Sequence, residues 1–168
     1  MKIMQKINKI SLTCLCFLLF VLCSCGSDGE CRQTAAVSLG VDFYETRFEV
    51  TEDQFVPRIL TDTLTIFGLD NDSLLYDQKV DNAIRLPLKQ FSEQTTYIFE
   101  RKHLSPLDTI TFFYENEENF ISLECGCLIF HRIIDIEHTF YNIDSVVVTN
   151  NFAADEQAKN IRIYFKNR

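Results

Sequence analysis

The sequence predicts an all-β protein: an antiparallel β-sandwich of about nine strands. Immunoglobulin-like topology is expected, with a transthyretin-like sandwich or a closed barrel as alternatives. Three observations carry this. Fifteen Phe and six Tyr against five Gly and three Pro describe a chain with an aromatic core rather than a disordered one. Apolar residues recur with the period of two that belongs to strands. Turn residues interrupt these runs at short intervals, as in sandwiches.

Taken in order, Val37, Leu39, Val41 and Phe43 alternate with small or polar residues and read as a half-buried strand. Leu64 and Ile66 repeat the pattern within 63–67. The runs 97–99 and 110–114 are β-branched and aromatic. Residues 120–134 form a long apolar stretch, one strand or a bent pair. Val146, Val147 and Val148 and then Ile161 to Phe165 close the chain as two strands joined by the polar loop 150–159. Turns are expected at Asp70-Asn71-Asp72, at Glu115 to Asn119, and near Pro57, Pro87 and Pro106. Only 155–159 has a faint helical character.

The first 24 residues read as a targeting segment. Lys2, Lys6 and Lys9 form a positive start, and Ile10 to Leu22 is an uncharged run of 13 residues. That run suits a signal peptide and is short for a membrane span. Leu22-Cys23-Ser24-Cys25 then matches a lipobox. An aliphatic residue stands three places before Cys25 and a small one directly before it, whereas Cys23 follows bulky Leu22. Cys25 is therefore the expected lipidation site. Each buried methylene of an acyl anchor contributes about 0.8 kcal/mol, and two chains already hold a protein stably. Gly26, rather than Asp, follows the cysteine, which favours the outer membrane. Residues 25–31 would be the acylated cysteine and a short linker, and 32–168 a single domain, facing the periplasm or the cell surface.

Removing the three signal lysines takes the formal charge from −8 to −11 over the remaining 144 residues. No basic stripe remains, so nucleic acid is excluded as an expected partner. The acyl anchor is what would hold the domain to the membrane.

Cys31, Cys125 and Cys127 remain for chemistry in a compartment that permits disulfides. A bridge from Cys31 to Cys125 or Cys127 would close a loop of roughly 95 residues, worth about 4–5 kcal/mol in the chain-entropy model. Cys125-Gly126-Cys127 could instead act as a redox dithiol. Adjacent Glu124 and apolar flanks oppose the lowered thiol pKa that exchange needs. Cys125, Cys127 and His131 share one parity and, with Cys31, are chemically suited to zinc. Their reach along a strand is about 20 Å, too far for one ion unless the chain bends. His103 and His138 stand isolated, and the acids 115–118 lack the spacing of a calcium loop. Four triplets read Asp, hydroxyl, aliphatic, with Thr63, Ser73, Thr109 and Ser145 at their centres. Each is either a strand entry or an O-glycosylation sequon of the kind one Gram-negative phylum uses. No nucleophile elbow, zinc-protease helix, phosphate loop or dinucleotide fingerprint occurs. No cofactor is expected and the chain is not read as an enzyme.

Cys31-Arg32-Gln33-Thr34, 64–69, Leu86-Pro87-Leu88, the segment 120–127 ending Glu-Cys-Gly-Cys, and 160–165 resemble a domain family of unknown function. Its members are small outer-membrane-type lipoproteins of gut Gram-negative anaerobes. The resemblance implies envelope location and β architecture, supplies no activity, and supports a structural role for Cys31 and Cys125 or Cys127 without choosing the pairing. The function expected is a non-enzymatic module that binds or scaffolds an envelope partner, protein or glycan. A thiol- or metal-handling protein using Cys125 and Cys127 is the alternative.

Overall fold

The computed structural model describes residues 37–167, apart from 70–73, 80, 103, 123–125 and 155–156. These lie in one compact unit, Gln33–Arg168. The signal segment, Cys25 and Cys31 fall outside the described residues.

The described residues form eleven strands: β1 (Ser38–Glu49), β2 (Gln54–Ile59), β3 (Leu64–Gly68), β4 (Leu74–Lys79), β5 (Ala83–Pro87), β6 (Gln94–Arg101), β7 (Asp108–Ser122), β8 (Gly126–His138), β9 (Ile143–Val148), β10 (Phe152–Ala153) and β11 (Ile161–Phe165). One sheet runs β2-β1-β11-β9, with β5 also on β1; the other runs β10-β8-β7-β6-β3-β4. The all-β sandwich expected from the sequence is what forms. One pairing departs from the antiparallel rule: β1 and β11 are parallel, Val41 opposite Ile161 through Glu45 opposite Phe165. The first and last strands thus meet inside one sheet.

β1 is long enough to serve several partners. Its residues 38–42 pair with β5 and 44–49 with β2 along one edge, while 41–45 pair with β11 on the other. Its odd residues Leu39, Val41 and Phe43 point into the core with Ile161, Ile163 and Phe165 of β11. They meet Leu64 and Ile66 of β3, Tyr97 and Phe99 of β6, and Ile110 and Phe112 of β7. Phe43 joins the layers, its ring 6.3 Å from Phe99 in the other sheet and 6.1 Å from Phe165 in its own. Each such side chain contributes about 1.5–3 kcal/mol by leaving water.

Two polar devices fix the layers. Arg101 at the end of β6 is buried. It donates to Asp62 at 2.6 Å, to Glu45 of β1 at 3.2 Å and to the Lys166 carbonyl at 2.8 Å. Buried Asp108 accepts from Thr139 Oγ1, Tyr141 N and Asn142 N at 2.7–2.9 Å, pinning the β8–β9 turn to the start of β7.

The acidic run Glu115 to Asn119 corrects an expectation. It is not a turn but the middle of β7, paired residue by residue with 132–128 of β8. β6 covers β7 only from Asp108 to Phe113, so the distal strands project as a two-stranded ribbon. One face of this ribbon is buried at Tyr114, Leu128 and His131, while Glu115 and Glu118 are exposed, and those exposed acids give the stretch the composition that elsewhere signals a turn. Pro57 likewise sits within β2, a sheet-edge strand whose outer side requires no N–H. The described residues 157–159 are not helical.

Candidate functional site

The most distinctive surface is the outer face of the β2-β1-β11-β9 sheet. Because Val41, Phe43 and Glu45 point inward, Tyr44, Thr46 and Phe48 point out. Register extends the row across four strands: Ile59, Tyr44, Tyr164, Ser145. Two residues along β1 stand Thr46 and Pro57, and two further Phe48 and Phe55. Phe48, Phe55 and Ile59 are 45%, 66% and 54% exposed, and what sets them apart from scattered surface apolar residues is that they share one sheet face. The rings are paired among themselves: Tyr44 stacks on Tyr164 at 5.4 Å, and Phe48 meets Phe55 edge-on at 5.2 Å.

At one end of this face Lys159 reaches over β1 to Asp42 at 2.9 Å. The carboxylate holds the ammonium above its ordinary pKa. Beside it lies a cleft of roughly 180 Å³ lined by Gly40, Asp42, Tyr76, Arg85, Ala158 and Lys159. Arg85 donates to the Ala158 carbonyl at 2.6 Å. The cleft's cations are thus already engaged by protein acceptors, and the face offers apolar and hydroxyl contacts suited to binding.

A second polar centre lies in the other sheet. His131 of β8 is fully buried opposite Asn116 of β7. Asn116 donates Nδ2 to the carbonyls of Gln90 and Ser92, at 3.1 and 2.8 Å. That fixes its Oδ1 toward His131 Nδ1, 2.7 Å away. An amide oxygen only accepts, so Nδ1 carries the hydrogen and Nε2 keeps its lone pair. Nε2 has no partner among the described protein groups. Tyr114 packs edge-on against the imidazole at 5.0 Å. Its hydroxyl donates to the Lys89 carbonyl at 2.9 Å and lies 2.7 Å from Thr95 Oγ1. Burial holds the His131 pKa below its usual value and lifts that of Tyr114.

The residues singled out from the sequence are dispersed. Cys25, Cys31, Cys125 and Ser73 lie outside the described residues. Cys127 is an exposed free thiol opposite Phe120 on the ribbon. His131 is four residues further along an unbroken strand, about 13 Å at 3.3 Å per residue. Among the described residues no three His, Cys, Asp or Glu side chains gather to hold a metal. Thr63, Thr109 and Ser145 are each half-buried. Two of the preceding acids have structural work, Asp62 on Arg101 and Asp108 in the β8–β9 turn. Sequence reasoning missed the outer-face row. Its available signal was Tyr44 and Phe48 standing at the polar parity of β1.

Fold and surface together define an all-β, two-sheet domain with an exposed aromatic face. The chain belongs to a family of unknown function, DUF6452, whose model matches residues 63–165. Neither the curated proteins nor the solved structures contain a match to it.

Proposed function

We propose that the protein is a non-enzymatic binding module of the bacterial cell envelope, anchored to the outer membrane by acylation of Cys25, whose sheet face at Tyr44, Phe48, Phe55, Ile59 and Tyr164 docks an envelope protein. The observation that carries the docking is the exposure of Phe48, Phe55 and Ile59 on one continuous strand face. Aromatic side chains concentrate at protein interfaces and supply most of their binding energy. A protein fits this face better than a glycan. Tyr44 and Tyr164 cover one face of each other's rings, and the row of Ile59, Tyr44, Tyr164, Thr46, Pro57, Phe48 and Phe55 carries no carboxylate or carboxamide to bind sugar hydroxyls. The lipobox at 22–25 supports the anchor, and the acidic chain supports attachment by lipid rather than by a basic patch.

The test places a photo-crosslinking residue at Phe55 or Tyr44 in the full chain, in native membranes. The control position is Ile134, 62% exposed in the other sheet. Discrete protein adducts from Phe55 and Tyr44, absent from Ile134 and lost with Phe48→Ser, support the reading. Adducts to glycan, or the same adducts from all three positions, overturn it. Intact mass of the native protein tests the anchor, which predicts loss of 24 residues and a gain of acyl chains.

A further inference from the structure

The distal ribbon of β7 and β8 is seated on the fold by the 88–93 segment and the short β10, with Tyr114 and Ile133 reaching into the core. Beyond Phe113 no strand among the described residues flanks β7 on the β6 side. Its place is taken by the segment 88–93, which supplies carbonyls: Glu93 O to Tyr114 N at 2.9 Å, Gln90 O and Ser92 O to Asn116, and Lys89 O to the Tyr114 hydroxyl. β10 flanks β8 only at Phe152 and Ala153, with Ile133 N donating to Asn151 O at 2.7 Å. His131 sits at the centre, holding Asn116 in the orientation that makes both amide donors face the 88–93 segment.

We propose that His131 makes this seat acid-sensitive: protonation of its enclosed Nε2 releases the ribbon and the 88–93 segment while the sandwich core stays folded. The geometry supplies the reason. The first ring nitrogen is already committed to Asn116, so an added proton must go to Nε2, where no protein acceptor waits among the described residues. The result is a buried imidazolium with an unpartnered N–H. A buried charge is tolerated only when paired and hydrogen-bonded. Among the described residues no carboxylate is bonded to the ring, and Glu93 of the 88–93 segment and Glu115 of β7 are exposed. From β7, Tyr114 faces the ring and its phenol is held neutral by burial, while Asn116 is neutral. The Glu117 carboxylate is occupied by Arg132 at 2.5 Å. β10 brings Phe152 and Ala153 alongside, β6 brings Thr95, and the 88–93 segment brings the positive Lys89 near Tyr114. Lys89 would repel an imidazolium rather than pair with it.

The sign follows. His131 in the fold binds its proton less readily than a free histidine, whose pKa is about 6.5. The open state therefore gains a proton first as pH falls. Seat stability is fully present above about pH 6.5 and declines below it, by up to tenfold in the open-to-closed ratio per pH unit for one proton. The decline levels off once pH passes the folded pKa.

Hydrogen exchange of the full chain, read by mass spectrometry and corrected for intrinsic chemistry, tests this between pH 7.5 and 5. Peptides covering 112–118 and 129–134 should lose protection by up to about fivefold between pH 6.5 and 5.5, because the open state is already half-protonated at 6.5. A peptide covering 38–45 of β1 should not. His131→Gln, which cannot take up a proton, should flatten the ribbon's response. Should that variant fail to fold, the His131 imidazole and the 114 and 116 amide resonances of the full chain are followed against pH, and the amide changes should track an imidazole midpoint below 6.5. Constant protection at 112–118, a parallel fall at 38–45, or a His131 midpoint at or above 6.5 each overturn the proposal.

Discussion

Arg101 illustrates how one side chain can weigh more than several visible ion pairs. It is 3% exposed and reaches Glu45, Asp62 and the Lys166 carbonyl at once, tying β6 to β1, the 60–63 connection and the chain end. Arg132 and Glu117 are closer together, 2.5 Å, but well exposed. Exposed pairs typically contribute at most about 1 kcal/mol, whereas removing one partner of a buried pair costs about 3–5 kcal/mol because a charge is stranded. Buried Glu45 keeps the exposed Arg47 at 2.7 Å when Arg101 is removed, and Asp62 is partly exposed, so Arg101→Ala should destabilise by about 2–3 kcal/mol, and Arg132→Ala by under about 1 kcal/mol. Urea denaturation of both variants checks this. Adding Glu45→Leu to Arg101→Leu should recover part of the loss, since no buried charge is then left at Glu45. Equal effects of Arg101→Ala and Arg132→Ala would refute the ranking.

At the scale of elements, two glycines separate backbone strain from crowding. Gly126 opens β8 with φ +70, and a Cβ there would meet nothing within 4 Å. Its substitution by Ala has only the left-handed backbone to overcome, about 1–2 kcal/mol. Gly40 lies where the 158–160 segment crosses β1. A Cβ would stand 2.1 Å from the Ala158 carbonyl oxygen and 2.4 Å from Arg85 Nη1. Buried Asn160 is bonded to Gly40 through both its backbone and its side chain, so the backbone there has little room to yield. Gly40→Ala should cost more than Gly126→Ala, and thermal melts of the two should separate by several degrees. The same elements show what could be read in advance. Strands with one buried face announced themselves by alternation: β1, β3, the first half of β7, and β11 to the residue. β2, β4 and β5 did not, because β2 is exposed along nearly its whole length and β5 offers only Ile84 and Leu86 to the core. The acids of 115–118 read as a turn because a projecting ribbon and a turn are both solvated. The outer-face row could not be assembled from sequence at all, since Tyr44, Tyr164 and Ile59 become neighbours only through the β11–β1–β2 register. His131 was legible only as a possible zinc ligand sharing the parity of Cys125 and Cys127, and its tautomer depends on Asn116, 15 positions away.

At the scale of the molecule, the match to the family covers 63–165, and so begins between β2 and β3 and stops at the last residue of β11. The sandwich does not divide there. β1 lies outside the matched region yet is the strand on which its sheet is organised, pairing with β2, β5 and β11. Without it β11 would keep only β9, and Ile161, Ile163 and Phe165 would lose Leu39, Val41 and Phe43 from the buried layer. Burial at about 1.5–3 kcal/mol for each of those three lost side chains amounts to much of the 5–15 kcal/mol that stabilises a typical domain. The unpaired edge of β11 would also be a template for aggregation. A chain restricted to 63–165 should therefore show no cooperative thermal transition and should associate in solution, whereas 33–168 melts in one step. Mixing the 63–165 chain with a separate 37–60 peptide should restore part of the transition, because the parallel β1–β11 register needs no covalent link to form. A cooperative melt of 63–165 alone, at a temperature close to that of the longer chain, would show that β1 is an accessory to this sandwich rather than its organising strand.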